Sequence, residues 1–367
     1  MIDHLFVHLK GLKNYEPGVP IEEVVAQFGI GPDKIIKLGS NENPYGVSPK
    51  VIQRLREWVP FSNRYPDDSY RELKKGLGKR FGVPVENIII GLGSDQILEL
   101  AVRAVRPKKV LTAGITFAMY EIFAKMEGAE VIKTPSPTHN LEQFWELYNR
   151  EKPELIFICT PNNPLGEALD REELLRFSAQ VTDSLIVIDG AYQEFARFKD
   201  PKKWIEPIEL IGRKNVLYTG TFSKAFGLGG LRVGYGIGNR FIIENLSKLR
   251  PPFNVSTLSA IGASEALKDM EWVEKGIVAN FKEMERYCQF ARQWNLDYFD
   301  SYTNFIVLKI PNSDRVTDFL LKKGIIVRNM KGYGFDALRI TIGTPEQNSI
   351  CLRTLNEYLS HFVSIPN

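Results

Sequence analysis

The sequence is poor in the residues that mark disulfide-bonded, metal-bound or membrane-embedded proteins. It has three cysteines, Cys159, Cys288 and Cys351, with no C-x-x-C pair. An odd count without that spacing excludes a disulfide scaffold and a zinc ribbon, and it fits a reducing compartment. Four histidines, His4, His8, His139 and His361, are scattered. Apart from the spacing of four between His4 and His8, none is spaced from another as metal ligands are, so no metal is expected and each is read as a surface residue. No apolar run approaches the roughly 20 residues of a membrane span. Met1-Ile2-Asp3-His4-Leu5 has no basic segment ahead of an apolar stretch, so no signal peptide is expected. The net charge is only +3 over 367 residues, which offers no basic surface for nucleic acid. Repeats and low-complexity tracts are also lacking. These absences leave a cytoplasmic globular protein with no nucleic-acid or membrane partner.

What is present is ordered. The length suits two domains, or one large domain with an appendage. Residues 1–34 read as a polar arm with a short helix, Ile21 to Phe28, closed by Gly29 and bracketed by glycines and prolines. Such an arm packs on a small domain or at an interface. After a short strand at Ile35–Leu38 come helices at Pro49–Trp58 and Ser69–Phe81. Apolar strands then alternate with helices: Asn87–Ile90, Lys109–Leu111, Glu130–Lys133, Leu155–Cys159, Leu185–Asp189, Val216–Tyr218 and Tyr235–Ile237. Continuously apolar strands in a β-α-β-α order predict an α/β fold, with a mostly parallel sheet sandwiched between helices. Beyond Pro251-Pro252 the pattern changes. A helical region from Ser256 to about residue 295, broken near 268–270, precedes Asn304–Lys309, Ser313–Lys323, Ile325–Val327, Leu338–Ile342 and a last helix from Pro345 to about His361. This predicts a small α+β domain, and the chain divides as 1–34, 35–252 and 253–367. Ligands of parallel sheets bind at the carboxyl ends of the strands. Ser94, Asp95, Phe117, Asn163 and Asp189 fall there.

The chemistry concentrates in Thr221-Phe222-Ser223-Lys224-Ala225-Phe226-Gly227-Leu228-Gly229-Gly230-Leu231-Arg232. A lone lysine among small, aromatic and glycine residues is desolvated, which frees its amine as a nucleophile. Two hydroxyls and a guanidinium close by suit a phosphate, and the combination is what pyridoxal phosphate (PLP) requires; the alternative is a solvated lysine in a glycine-rich turn. Asp189 ends a buried strand and is either a helix cap or a counter-ion for a pyridinium nitrogen. Tyr192 and Asn163 are both placed to meet a ring oxygen, and the alternative for Asn163 is a turn residue. Phe117 either stacks on a ring or joins the core. Arg328 and Arg339 are either solvated or converge on an anionic substrate. Gly91-Leu92-Gly93 lacks the third glycine of a dinucleotide fingerprint, and no Walker lysine follows.

Seven motifs in order carry a resemblance over nearly the whole chain. They are Asn-Glu-Asn-Pro-Tyr-Gly at 41–46, Tyr-Pro-Asp at 65–67, Gly-Ser-Asp at 93–95, Thr-Pro-Asn-Asn-Pro at 160–164, Asp-x-Ala-Tyr at 189–192, the lysine stretch at 223–232 and Leu-Arg-Ile-Thr-Ile-Gly-Thr-Pro-Glu at 338–346. With them the chain resembles the fold-type-I PLP-dependent aminotransferases (class II), most of all their histidinol-phosphate branch. The resemblance implies an aspartate-aminotransferase-like PLP fold and a homodimer. It also implies transamination of histidinol phosphate with 2-oxoglutarate, yielding glutamate, in histidine biosynthesis. Lys224 would hold PLP covalently and carry the proton shift. Asp189 would pair with the ring nitrogen, Tyr192 and Asn163 with the ring oxygen, and Phe117 would stack on the ring. Ser94, Asp95, Thr221, Ser223 and Arg232 would hold the phosphate, with Tyr65 reaching it from the other subunit. Tyr15, Asn41, Arg328 and Arg339 would line the substrate pocket. Four positions depart from the family pattern: Gly190 and Gln96 stand where acidic residues are usual, Leu165 replaces a threonine, and Phe117 replaces a common tyrosine. Alternatives on the same scaffold are an aromatic amino-acid aminotransferase, a PLP lyase acting on an amino-acid phosphate, and a non-enzymatic PLP-binding module. The intact Lys224, Asp189 and Arg232 set argues against the last.

Overall fold

The computed structural model describes residues 17–362 together with residues 9, 11, 12, 14 and 15. Among the described residues the strands are β1 (Ile36–Lys37), β2 (Ile88–Leu92), β3 (Lys109–Thr112), β4 (Glu130–Lys133), β5 (Leu155–Cys159), β6 (Leu185–Asp189), β7 (Val216–Thr221), β8 (Val233–Gly238), β9 (Phe305–Lys309), β10 (Ile325–Ile326), β11 (Arg328–Asn329) and β12 (Ala337–Thr341). A seven-stranded sheet has the order β2-β8-β7-β6-β5-β3-β4. All its pairings are parallel except those of β8, which runs antiparallel to both β2 and β7. The exception has a simple cause. A parallel neighbour needs a crossover of a dozen or more residues, usually a helix. Only the loop Phe222–Arg232 joins β7 to β8, so the chain turns back beside itself, and the lysine stretch becomes the turn.

Successive strand residues point to opposite faces, and the sheet's apolar residues divide accordingly between two cores. Ile88, Ile90, Ile156, Ile158, Ile186, Ile188 and Tyr218 join one cluster. Ile89, Leu155, Phe157, Val187 and Leu217 join the other. Both faces are therefore covered, as the unbroken apolar strands predict.

The C-terminal part builds an antiparallel sheet, β11-β12-β9, and adds β10 to β1 in a parallel pair. Ile36 and Leu38 sit in this part's core with Ile306, Leu338 and Ile340. So the strand at 36–37, which a division at residue 35 puts in the large domain, pairs with the small part. Conversely, the helix Thr257–Ala266 packs on Pro49–Trp58 and Arg71–Phe81, beside the large sheet. The helix Met270–Gln293 spans the two: Val273 and Ile277 enter the large core, and Met284, Tyr287 and Phe290 enter the small one. Among the described residues no helix is long and apolar enough to cross a membrane.

Candidate active site

The site lies at the carboxyl end of the large sheet, against the small part. Helix Gly93–Val105 starts where β2 ends; Gly93 N donates to Arg232 O at 3.0 Å, and no side chain among the described residues caps the helix, so the amides that follow, from Ser94 on, are available to an anion. Two glycines allow the approach of backbone and guanidinium here. A Cβ at Gly93 would lie 2.7 Å from Arg232 Nη2, and one at Gly234 would lie 2.2 Å from Ser94 N. Arg232 donates to Asp95 Oδ2 at 3.0 Å and to Ser223 Oγ at 3.3 Å. Thr221 Oγ1 donates to Ser223 Oγ at 3.0 Å. Helix amides, two hydroxyls and a guanidinium thus form one anion-binding cluster.

Lys224 sits beside that cluster. Its Nζ is 3.5 Å from Asn41 O and 5.8 Å from the centroid of the Tyr192 ring. Burial, with the positive charge of Arg339 as a second cause, lowers the amine to about 8. Asp189 is 3% exposed. Its Oδ2 accepts from Tyr120 Oη at 2.7 Å, and its Oδ1 accepts from Ala191 N at 3.1 Å and Thr219 Oγ1 at 3.4 Å. Burial nevertheless raises its carboxyl to about 6, because the hydrogen bonds only partly offset lost hydration.

Asn41 Nδ2 donates to Tyr192 Oη at 2.9 Å, and burial raises that phenol. Arg339 donates from Nη1 to Asn163 Oδ1 at 2.7 Å and from Nη2 to Gly39 O at 2.9 Å. Its buried Nε has no partner among the described residues. Arg328 and Arg339 are directly paired on antiparallel β11 and β12, which puts both side chains on one face. Arg328 Nη1 also donates to Pro17 O at 3.2 Å. Burial lowers Arg339, and the like charge of Arg328 adds to the effect. Phe117 precedes the helix Ala118–Met126 and meets Tyr120 edge-on at 5.6 Å.

One cleft of about 210 Å³ is lined by Tyr15, Asn41, Ser94, Asp95, Phe117, Asn163, Asp189, Tyr192, Thr221, Ser223, Lys224, Arg232, Arg328 and Arg339. Every candidate residue is there except Tyr65, which is 83% exposed and stacked on Phe253 at 4.8 Å. Sequence reasoning missed Tyr120 and Tyr333. Tyr120 lies three residues beyond Phe117, and that spacing was an available signal; Tyr333 sits in the loop between the two arginines and carries none. One expectation is corrected. His139 is buried, not at the surface, because its Nε2 accepts the backbone N–H of Cys159 at 3.1 Å. His4 and His8 lie outside the described residues, and His361 is exposed.

The departures have structural correlates. A Cβ at position 190 would lie 2.4 Å from Tyr218 Oη, so that tyrosine occupies the space of any side chain at Gly190. Gln96 Oε1 accepts from Leu92 N and Asn254 Nδ2, at 2.8 and 2.6 Å, so only an acceptor is needed there. Leu165 is fully buried.

The donor set fits PLP. The cluster around Arg232 suits a phosphate, the Lys224 amine is readily deprotonated, and the buried Asp189 carboxylate has among the described residues no cationic partner of the kind a pyridinium would supply. The unpartnered Nε of Arg339 is left for an anion.

The sequence profile of the family described as aminotransferase class I and II matches residues 33–355. The histidinol-phosphate aminotransferase of Wolinella succinogenes is 52% identical over 361 residues, 96% of this chain and 98% of that protein. The histidinol-phosphate aminotransferase of Campylobacter jejuni is 53% identical over 348 residues, 93% of this chain and 95% of that protein. Among solved structures, the histidinol-phosphate aminotransferase of Sinorhizobium meliloti in complex with pyridoxal-5'-phosphate superposes with a TM-score of 0.87 at 24% identity, covering 97% of this chain and 98% of that one. That likeness concerns the fold.

Proposed function

The chain belongs to the class I and II aminotransferases, and on that premise we infer that it transfers the amino group of L-histidinol phosphate to 2-oxoglutarate, giving imidazole acetol phosphate and glutamate in histidine biosynthesis. The observation that carries the substrate assignment is the pair Arg328–Arg339, side by side on one sheet face and lining the same cleft as Lys224. Two guanidiniums suit a phosphate, which carries more charge than a carboxylate.

The cofactor is PLP, which when bound supplies an electron sink for the pair left when the substrate Cα loses its proton. The residues divide the remaining work. Arg232, Ser223, Thr221 and the amides of Ser94 and Asp95 hold the cofactor phosphate. Asp189, fixed by Tyr120, holds the proton of the ring nitrogen. Tyr192 and Asn163 meet the ring oxygen, and Phe117 covers one ring face. Lys224 would anchor the cofactor, and once displaced its amine would take the proton from the donor's Cα and deliver it to the cofactor carbon, the reverse transfer serving 2-oxoglutarate. A lysine lowered to about 8 does this near neutral pH. Arg328, Arg339, Tyr15 and Asn41 bind substrate.

The active form in this reading is a cytoplasmic homodimer. Tyr65, which projects from its own subunit, donates to the cofactor phosphate of the neighbour. Trp58, Phe61 and Tyr65 border a surface groove that suits a second copy. The arm 1–34, a large part to 252 and a small part from 253 remain the working division, with 36–37 given to the small part and 257–266 to the large.

The test is kcat/KM for histidinol phosphate, phenylalanine, tyrosine and threonine phosphate with 2-oxoglutarate as acceptor. Histidinol phosphate is expected to lead. A higher value for phenylalanine or tyrosine would move the assignment to the aromatic aminotransferases.

A further inference from the structure

A second polar cluster lies outside the cleft, around the turn that follows β5. Its centre is Glu167. One carboxylate oxygen, Oε1, accepts from Asn162 Nδ2 at 2.8 Å, from the backbone N of His139 at 3.2 Å and from His139 Nδ1 at 3.2 Å. The direction of the last bond is fixed by the opposite side of the ring. His139 Nε2 faces the backbone N–H of Cys159, which can only donate, so Nε2 is the acceptor and the ring proton sits on Nδ1. Asn162 extends the cluster: Nδ2 also reaches Ile115 O at 3.0 Å, and Oδ1 accepts from Thr116 Oγ1 at 3.0 Å. Asn162 is fully buried and His139 is 9% exposed.

None of His139, Asn162 or Glu167 lines the cleft, but each chain segment they tie together carries a residue that does. Thr116 precedes Phe117. Asn162 precedes Asn163, which accepts from Arg339. Cys159 pairs in register with Asp189, and Thr160 N donates to Asp189 O at 3.0 Å. The turn is also held from the small part, where Tyr302 N donates to Gly166 O at 2.8 Å. Glu167 is half-buried, and its buried oxygen Oε2 has no partner among the described residues. Leaving that oxygen unpaired costs free energy, so the cluster is not explained as optimised packing.

We propose that Glu167 and His139 are positioning residues for the transamination, fixing Phe117 and Asn163 relative to each other and to the end of β6. The proposal rests on the PLP site assigned above. Charge-assisted acceptance at Glu167 Oε1 makes the three bonds roughly twice as strong as neutral ones, and His139 supplies the donor and acceptor that link residue 167 to residue 159.

The test compares wild type with Glu167→Ala, Glu167→Gln, His139→Leu and His139→Gln. Each apoenzyme is titrated with PLP by fluorescence quenching, its visible circular dichroism is recorded on saturation, and kcat and KM for histidinol phosphate are measured. His139→Leu and Glu167→Ala should each weaken PLP binding on the order of tenfold, because part of the lost bond energy is felt at Phe117 and Asn163, and lower kcat by a similar factor. Their visible circular dichroism should change, and KM should move less than kcat. Gln at 139 offers both a donor and an acceptor, so His139→Gln should recover most of the affinity and the spectrum. Should Glu167→Ala and His139→Leu fail to fold, Glu167→Gln decides: the proposal requires a measurable loss of PLP affinity at unchanged far-ultraviolet circular dichroism. Folded variants with wild-type affinity, spectrum and kcat overturn it, as does a His139→Gln protein no better than His139→Leu. A wild-type enzyme that fails to bind PLP at all would instead overturn the site assignment beneath it.

Discussion

Tyr120→Phe isolates the electrostatics of the site with one atom removed. Tyr120 Oη donates to Asp189 Oδ2 at 2.7 Å, and both residues are buried. Burial holds the Asp189 carboxyl at about 6 instead of its ordinary 3.8. The raised value means that ionisation opposes folding of the apoenzyme: stability from this group is complete below pH ~4 and lost as pH rises through about 6, a cost of about 3 kcal/mol. A pyridinium beside the carboxylate relieves that cost, so PLP binds the ionised form and its affinity falls as pH drops below about 6. A hydrogen bond to a charged group exceeds one to a neutral group by about 1–1.5 kcal/mol, or about one pH unit. Tyr120→Phe should therefore move the midpoint from about 6 to about 7 and weaken PLP binding about fivefold at pH 6. The assay is fluorescence titration of the apoenzymes with PLP between about pH 5 and 8.5, a range set to span both midpoints. Protonation of the cofactor phosphate is common to both proteins and cancels in the comparison. Superimposable pH profiles would refute the claim that Tyr120 holds the Asp189 charge.

Lys224→Ala should abolish turnover and the visible absorbance of the bound cofactor, a loss of several orders of magnitude because anchoring and proton transfer go together; near wild-type rates would remove the basis of the account. Arg328→Ala and Arg339→Ala should each raise KM for histidinol phosphate on the order of tenfold. Arg339→Ala should also lower kcat, since it releases Asn163, whereas Arg328→Ala should not; equal kcat effects would contradict the geometry. Mixed dimers of Tyr65→Ala and Lys224→Ala, formed by mild denaturation and refolding, should regain activity well above the sum of the parents, because one site then carries both defects and the other carries neither. No rescue, with Tyr65→Ala impaired alone, would place Tyr65 in its own subunit's site.

Much of this architecture is legible in the sequence because its determinants are local. Unbroken apolar strands signal a sheet covered on both faces, and the cores divide by strand parity as that pattern requires. The helix Ile21–Phe28 with Gly29 in the left-handed conformation, and Pro49 opening its helix, follow their end signals. Other features depend on contacts distant in sequence. Nothing within Ile36–Lys37 says that its partner is Ile325–Ile326. The antiparallel course of β8 follows from the shortness of the loop before it, a signal the sequence does carry. The sequence suggests Arg328 and Arg339 as a pair for one anion, but only the register of β11 on β12 makes them neighbours. His139 was misplaced because a lone histidine gives no sign of the backbone amide it will meet at Cys159.

The central claim is amino-group transfer from histidinol phosphate through this site, and its two halves can be observed apart. L-histidinol phosphate is added without acceptor to enzyme loaded with PLP, the visible spectrum is followed, and unbound donor and cofactor are removed; 2-oxoglutarate is then added and glutamate is counted. The account predicts a loss of the original visible band in the first step, its return in the second, and one glutamate per subunit. An unchanged spectrum with histidinol phosphate, or a change that yields no glutamate when 2-oxoglutarate follows, would contradict it.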